Sequence, residues 1–164
     1  MQNFGDKMRP EIEEKLKVLV GKTIEGLPIW NRIENDSGLH NRYWLQVKDN
    51  RNTLMNKGMD GDKAWEVARL NTKQGFIMEV YYHDYLNFDW ADKFKDLKDP
   101  VTGEIFEIKT KYMANKKELI DNIKKVHKKQ KHDYYIVNLA EYGYKYELII
   151  FGEYLDTLES IEAY

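Results

Sequence analysis

The sequence contains no cysteine, which excludes disulfides, thiolate zinc sites and cysteine nucleophiles. That absence fits a reducing compartment. No apolar run approaches the length of a membrane span, and the polar amino terminus lacks the apolar core of a signal peptide. A soluble, intracellular (cytoplasmic) protein is therefore expected. There is no internal repeat and no low-complexity tract. An excess of positive charge is also missing: the formal net charge is −2, which argues against a uniformly basic nucleic-acid binder. A local basic patch is still compatible with that average.

What is present suits one folded domain. A chain of 164 residues can bury a real core but not two comfortable ones. Hydrophobic residues make up 42% and charged residues 33%, an ordinary balance for a globular chain. The expected organisation is one domain over residues 1–164. Within it, residues 1–58 hold an N-terminal helix and a candidate DNA-contacting segment, and residues 62–155 form the core. The pattern predicts an α/β (α+β) fold with a mixed central sheet flanked by helices.

Pro10 opens a predicted helix to Val20, with Glu11, Glu13 and Glu14 near its positive end and Gly21 as its stop. Leu27-Pro28-Ile29-Trp30 is expected to be extended, because proline disfavours helix in its predecessor. Asn35 to Gly38 reads as a turn and Tyr43 to Val47 as a strand. Arg42 and Arg51 lie in a segment rich in amides and cations, the groups that contact bases and phosphates. Asp62 is a plausible N-cap for a helix from Lys63 to about Leu86, with a break near Gly75. Glu79 falls among Phe76, Ile77, Met78 and Val80, which predicts a half-buried carboxylate.

The stretch from Asp92 to Thr110 carries the chemistry. Asp99-Pro100-Val101-Thr102-Gly103 predicts a turn between two strands, with glycine taking the left-handed conformation. On the second strand Ile105, Glu107 and Lys109 share one face, and Phe106 and Ile108 the other. Folding back about the turn brings Asp96 opposite Glu107. Asp92 has the same parity and Asp89 the opposite one, so the choice among these three aspartates stays open. Two carboxylates and an amine on one patch suit a hard divalent cation such as Mg²⁺, with Mn²⁺ as a substitute. Such a site can polarise a phosphodiester and activate water, with Lys109 stabilising developing charge.

These residues, Asp96, Gly103 and Glu107-Ile108-Lys109-Thr110, resemble the PD-(D/E)XK nuclease superfamily, which includes many restriction endonucleases. The resemblance covers roughly residues 62–155. It departs from the family in having Lys95, not proline, before Asp96. It implies a metal-dependent DNA endonuclease with Asp96 and Glu107 as metal ligands, Lys109 serving the attacking water, and Glu79 supporting the metal. A homodimer would pair two sites for a double-strand break. Alternatives are a recombination, repair or junction-resolving nuclease, and a DNA-binding module without catalysis.

Downstream, Lys111, Lys116, Lys117, Lys124, Lys125, Lys128, Lys129 and Lys131 face only Glu118 and Asp121 as opposing charge. Leu119, Ile120, Ile123 and Val126 recur at helical spacing, which predicts a helix with one packed face and one basic face. The basic face is the candidate contact to the DNA backbone. Asp133 to Leu139 and Tyr146 to Phe151 are predicted buried strands. The acidic tail beyond Gly152 is expected to pack as a short helix.

Overall fold

A run of apolar residues long enough to be buried on both faces belongs at the centre of a sheet, and Tyr134 to Ala140 takes that place. In the computed structural model, which describes residues 8–91, 96–111, 117–118, 121, 133–141 and 143–153, every residue from Tyr134 to Ala140 is buried. The described elements are α1 (Pro10–Leu19), β1 (Thr23–Glu25), α2 (Leu27–Glu34), α3 (Ser37–Asn56), α4 (Gly61–Tyr85), β2 (Asp89–Trp90), β3 (Leu97–Lys98), β4 (Ile105–Lys111), β5 (Tyr134–Glu141) and β6 (Lys145–Glu153). The strands form one sheet in the order β1-β6-β5-β4-β3-β2. Only β4 and β5 run parallel; the other neighbours are antiparallel. The fold is therefore α+β with a mixed sheet, as the pattern predicted. No helix among the described residues is long and apolar enough to cross a membrane.

The core lies between the sheet and the helices. Phe106 on β4 meets the ring of Phe88 at 4.7 Å and that of Tyr134 at 4.9 Å. Phe76, Ile77, Met78, Val80 and Tyr82 of α4 are fully buried with them. Ile12, Leu16 and Leu19 bury the apolar stripe of α1. Gly21, with φ +81°, turns the chain after it, as expected of a glycine at a helix end.

The amino-terminal half is more helical than its sequence suggested. Leu27 to Trp30, expected to be extended, begins α2, with Pro28 in the first turn where its missing N–H costs nothing. Tyr43 to Val47, expected as a strand, lies inside α3. Its apolar run had the length of a strand, but Leu39, Tyr43, Gln46 and Val47 are the residues that bury, a three-to-four spacing. Of the turn predicted at Asn35 to Gly38, only Asn35 and Asp36 lie between α2 and α3; Ser37 and Gly38 begin α3, and Asp36 caps it by accepting from the Leu39 amide at 3.0 Å. Helix α4 runs unbroken through Gly75, and its cap is Asp60, not Asp62.

The hairpin was read correctly at its turn and incorrectly before it. Gly103 has φ +77°, and its amide donates to the Asp99 carbonyl at 2.7 Å. The Asp99 carboxylate accepts from the Val101 amide at 2.9 Å, the local bond that stabilises an aspartate-led turn. Before Asp96, however, the chain reverses: β2 pairs antiparallel with β3, so Asn87 onward does not extend the same strand.

Candidate active site

Strand alternation puts Glu107 and Lys109 on one face of β4, and the structure joins them: Lys109 Nζ lies 3.1 Å from Glu107 Oε1. The Glu107 side chain is 8% exposed and that of Lys109 22%, so the amine is the member a substrate can reach. The β3–β4 register pairs Leu97 with Phe106. Continued by one residue past the start of β3, that register would set Asp96 across from Glu107. Directly opposed residues of an antiparallel pair share a face, and the charges of Asp96 and Glu107 both act on Glu79.

Glu79 of α4 completes an acidic cluster. It is 7% exposed, fully buried where half-burial was expected. Burial pushes its carboxyl well above the usual range, and the negative charges of Asp96 and Glu107 push it further. A hydrogen bond from Gln46 and the charge of Arg42 act in the opposite direction. The three carboxylates are thus close enough to feel one another. Lys111, at the end of β4, is half-buried; burial and the charge of Lys109 lower its ammonium below the ordinary value.

The helical pair supplies two groups to this cluster. Gln46 on α3 is buried, and its Nε2 donates to Glu79 Oε1 at 3.2 Å. Sequence reasoning missed Gln46 because it placed residues 43–47 in a strand. Read as helix, Arg42 and Gln46 stand one turn apart on one face. The Arg42 guanidinium lies 4.2 Å from the centroid of the Trp90 ring, a cation–π contact that also tethers β2. His83 stacks on the same indole at 4.6 Å.

Other expected site residues lie apart or outside the described residues. Asp89, across from Lys98, is exposed and is not among the charges that act on Glu79. The β2–β3 register sets it two strands away from Glu107. Arg51 rests over Trp65 at 5.1 Å, about 13 Å along the α3 axis from Arg42. Lys117 is exposed and helical. Asp92, Lys116, Lys124, Lys125, Lys128 and Lys129 lie outside the described residues, as does the acidic tail beyond Glu153.

The donor set suits a hard divalent cation in its chemistry. Among the described residues no group of three or more Asp, Glu, His or Cys side chains is arranged to enclose one. Magnesium does not require such a cage; it is commonly held by one or two carboxylates, with water and phosphate oxygens filling the sphere. Comparison with protein-family models, with curated proteins and with solved structures gave no match.

Proposed function

We propose that the chain is a divalent-metal-dependent endonuclease that hydrolyses phosphodiester bonds of DNA. The observation that supports this reading is that Asp96 and Glu107 both act on the buried Glu79, with Lys109 on the Glu107 strand face and its amine 3.1 Å from the Glu107 carboxylate. The likeness of these residues to the PD-(D/E)XK motif points the same way.

Asp96 and Glu107 would hold Mg²⁺, with Mn²⁺ able to replace it. When bound, that ion supplies charge neutralisation at the scissile phosphate and acidifies water. Lys109 is partly exposed and carries positive charge beside Glu107. Released from Glu107, its ammonium hydrogen-bonds the attacking water or a phosphate oxygen and steadies charge that develops there. Glu79 is buried, with Gln46 donating to one of its oxygens. It acts from behind the first two carboxylates, through water or by adding negative charge that favours a cation. Arg42, its guanidinium partly buried over Trp90, adds positive charge beside this cluster. Lys111 and, on the sequence alone, Lys116, Lys117, Lys124, Lys125, Lys128 and Lys129 are the candidates for contact with the DNA backbone. A homodimer would present two such sites to the two strands.

The test is supercoiled plasmid incubated with the protein in Mg²⁺ and, in parallel, in EDTA. The reading expects nicked or linear products only in Mg²⁺. Intact plasmid in Mg²⁺ and in Mn²⁺, at protein concentrations where DNA is bound, would make the chain a binding module instead.

A further inference from the structure

Helix α4 reaches the backbone of Lys109 by a second route. The Tyr82 hydroxyl, three residues beyond Glu79, donates to Asn138 Oδ1 on β5 at 2.6 Å. Asn138 Nδ2 in turn donates to the backbone carbonyl of Lys109 at 3.1 Å. Tyr82 and Asn138 are both 0% exposed. Burial raises the Tyr82 hydroxyl well above its ordinary value, so it remains a donor throughout the working range.

Asn138 stands out within its strand. Tyr134 to Val137, Leu139 and Ala140 are apolar or aromatic; this one buried position carries an amide. A valine would fill the space without a desolvation cost, so an amide there needs a role for its polar atoms. The β5–β6 register also shifts between Val137 and Asn138. Such irregularities re-aim a side chain and are frequent beside active sites.

We infer that Tyr82 and Asn138 are positioning residues for Lys109, a buried relay that ties the β4 backbone carrying the amine to the helix carrying Glu79. This rests on the nuclease reading above. The relay touches no substrate; it fixes where the Lys109 side chain begins and so how well its ammonium meets the reacting phosphate.

The experiment compares wild type, Tyr82→Phe and Ile33→Val. Phenylalanine keeps the ring and removes only the hydroxyl. Ile33, buried in α2 and outside the site, supplies a control for a general loss of stability. Plasmid cleavage in Mg²⁺ gives kcat and KM, and hydrogen exchange without metal reports the backbone. For Tyr82→Phe the relay predicts a fall in kcat of about tenfold with KM within about twofold of wild type. It also predicts faster amide exchange at residues 109–111 with β6 unchanged. Ile33→Val changes neither. If wild type cuts and Tyr82→Phe keeps its kcat, loses kcat only in step with Ile33→Val, or shows unaltered exchange in β4, the relay is overturned and the nuclease reading stands. If wild type does not cut, the nuclease reading fails and takes the relay's role with it.

Discussion

The two ends of the β3–β4 hairpin hold charge in opposite ways. At the turn, Asp99 is 1% exposed and is met by Arg9 twice, Nε to Oδ2 at 2.7 Å and a terminal nitrogen to Oδ1 at 3.0 Å. That is a closed pair: one acid and one base joined in the two-pronged geometry that guanidinium and carboxylate favour. Its product is a turn fixed to the start of α1. At the open end, Asp96, Glu107 and Glu79 gather three carboxylates near one amine and one guanidinium, and burial with like charge raises the Glu79 carboxyl. A structural pair balances its charges at once. A cluster whose carboxylates repel one another costs stability, and a bound cation would relieve that cost.

The sharpest way to break this contrast is at the amine. Lys109→Ala should lower cleavage by about a hundredfold or more, comparable to removing a preorganised charge stabiliser elsewhere. Salt-sensitive DNA binding should persist, measured by fluorescence anisotropy at two ionic strengths. Equal cleavage by the variant would remove Lys109 from the mechanism. Arg9→Ala should do the reverse. It leaves Asp99 buried without its base, at a cost of about 3 kcal/mol in denaturant unfolding, while kcat of the folded protein is unchanged. A large loss of kcat at full folding would mean the turn end also belongs to the site.

Glu79→Gln tests the open end through pH. The folded chain holds the Glu79 proton more tightly than the unfolded chain, whose carboxyl stays near its ordinary value of 4.5. The stability this contributes is complete below that value and is lost as pH rises through the raised folded one. Each unit of separation is worth about 1.4 kcal/mol. Glutamine mimics the protonated form and still offers Gln46 an acceptor. In EDTA, the variant should therefore melt above wild type at about pH 8 and converge with it at about pH 4. A constant difference across that range would show that the carboxyl does not titrate between the folded and unfolded states. The smallest effect is expected at the rim: Arg42→Lys loses the planar stack on Trp90 and should raise KM by about threefold with kcat unaltered.

The hairpin was legible because its signals are local. Pro100 and Gly103 fix the turn, and strand alternation then dictates that Glu107 and Lys109 share a face. Burial of β5 was legible for the same reason, as an unbroken apolar run. What the sequence hid came from elsewhere in the chain. Arg9 and Asp99 are joined only once the sheet is assembled. Gln46 was invisible while Tyr43 to Val47 passed for a strand, since the helical spacing of α3 emerges only over its whole length. The reversal between β2 and β3 has no glycine or proline to mark it, so the pairing of Asp89 with Lys98 could not be read from the chain. The Tyr82–Asn138 contact joins a helix to a strand far along the chain, and no local pattern announces it.

The central claim is that Asp96 and Glu107 hold a divalent cation between them. Manganese offers the most direct measurement, because the paramagnetic resonance signal of free Mn²⁺ falls as the ion binds. Wild type should take up Mn²⁺ in competition with Mg²⁺, and the folded double variant Asp96→Asn, Glu107→Gln should lose that uptake. Uptake that is the same in both proteins, or absent from wild type, would contradict the account.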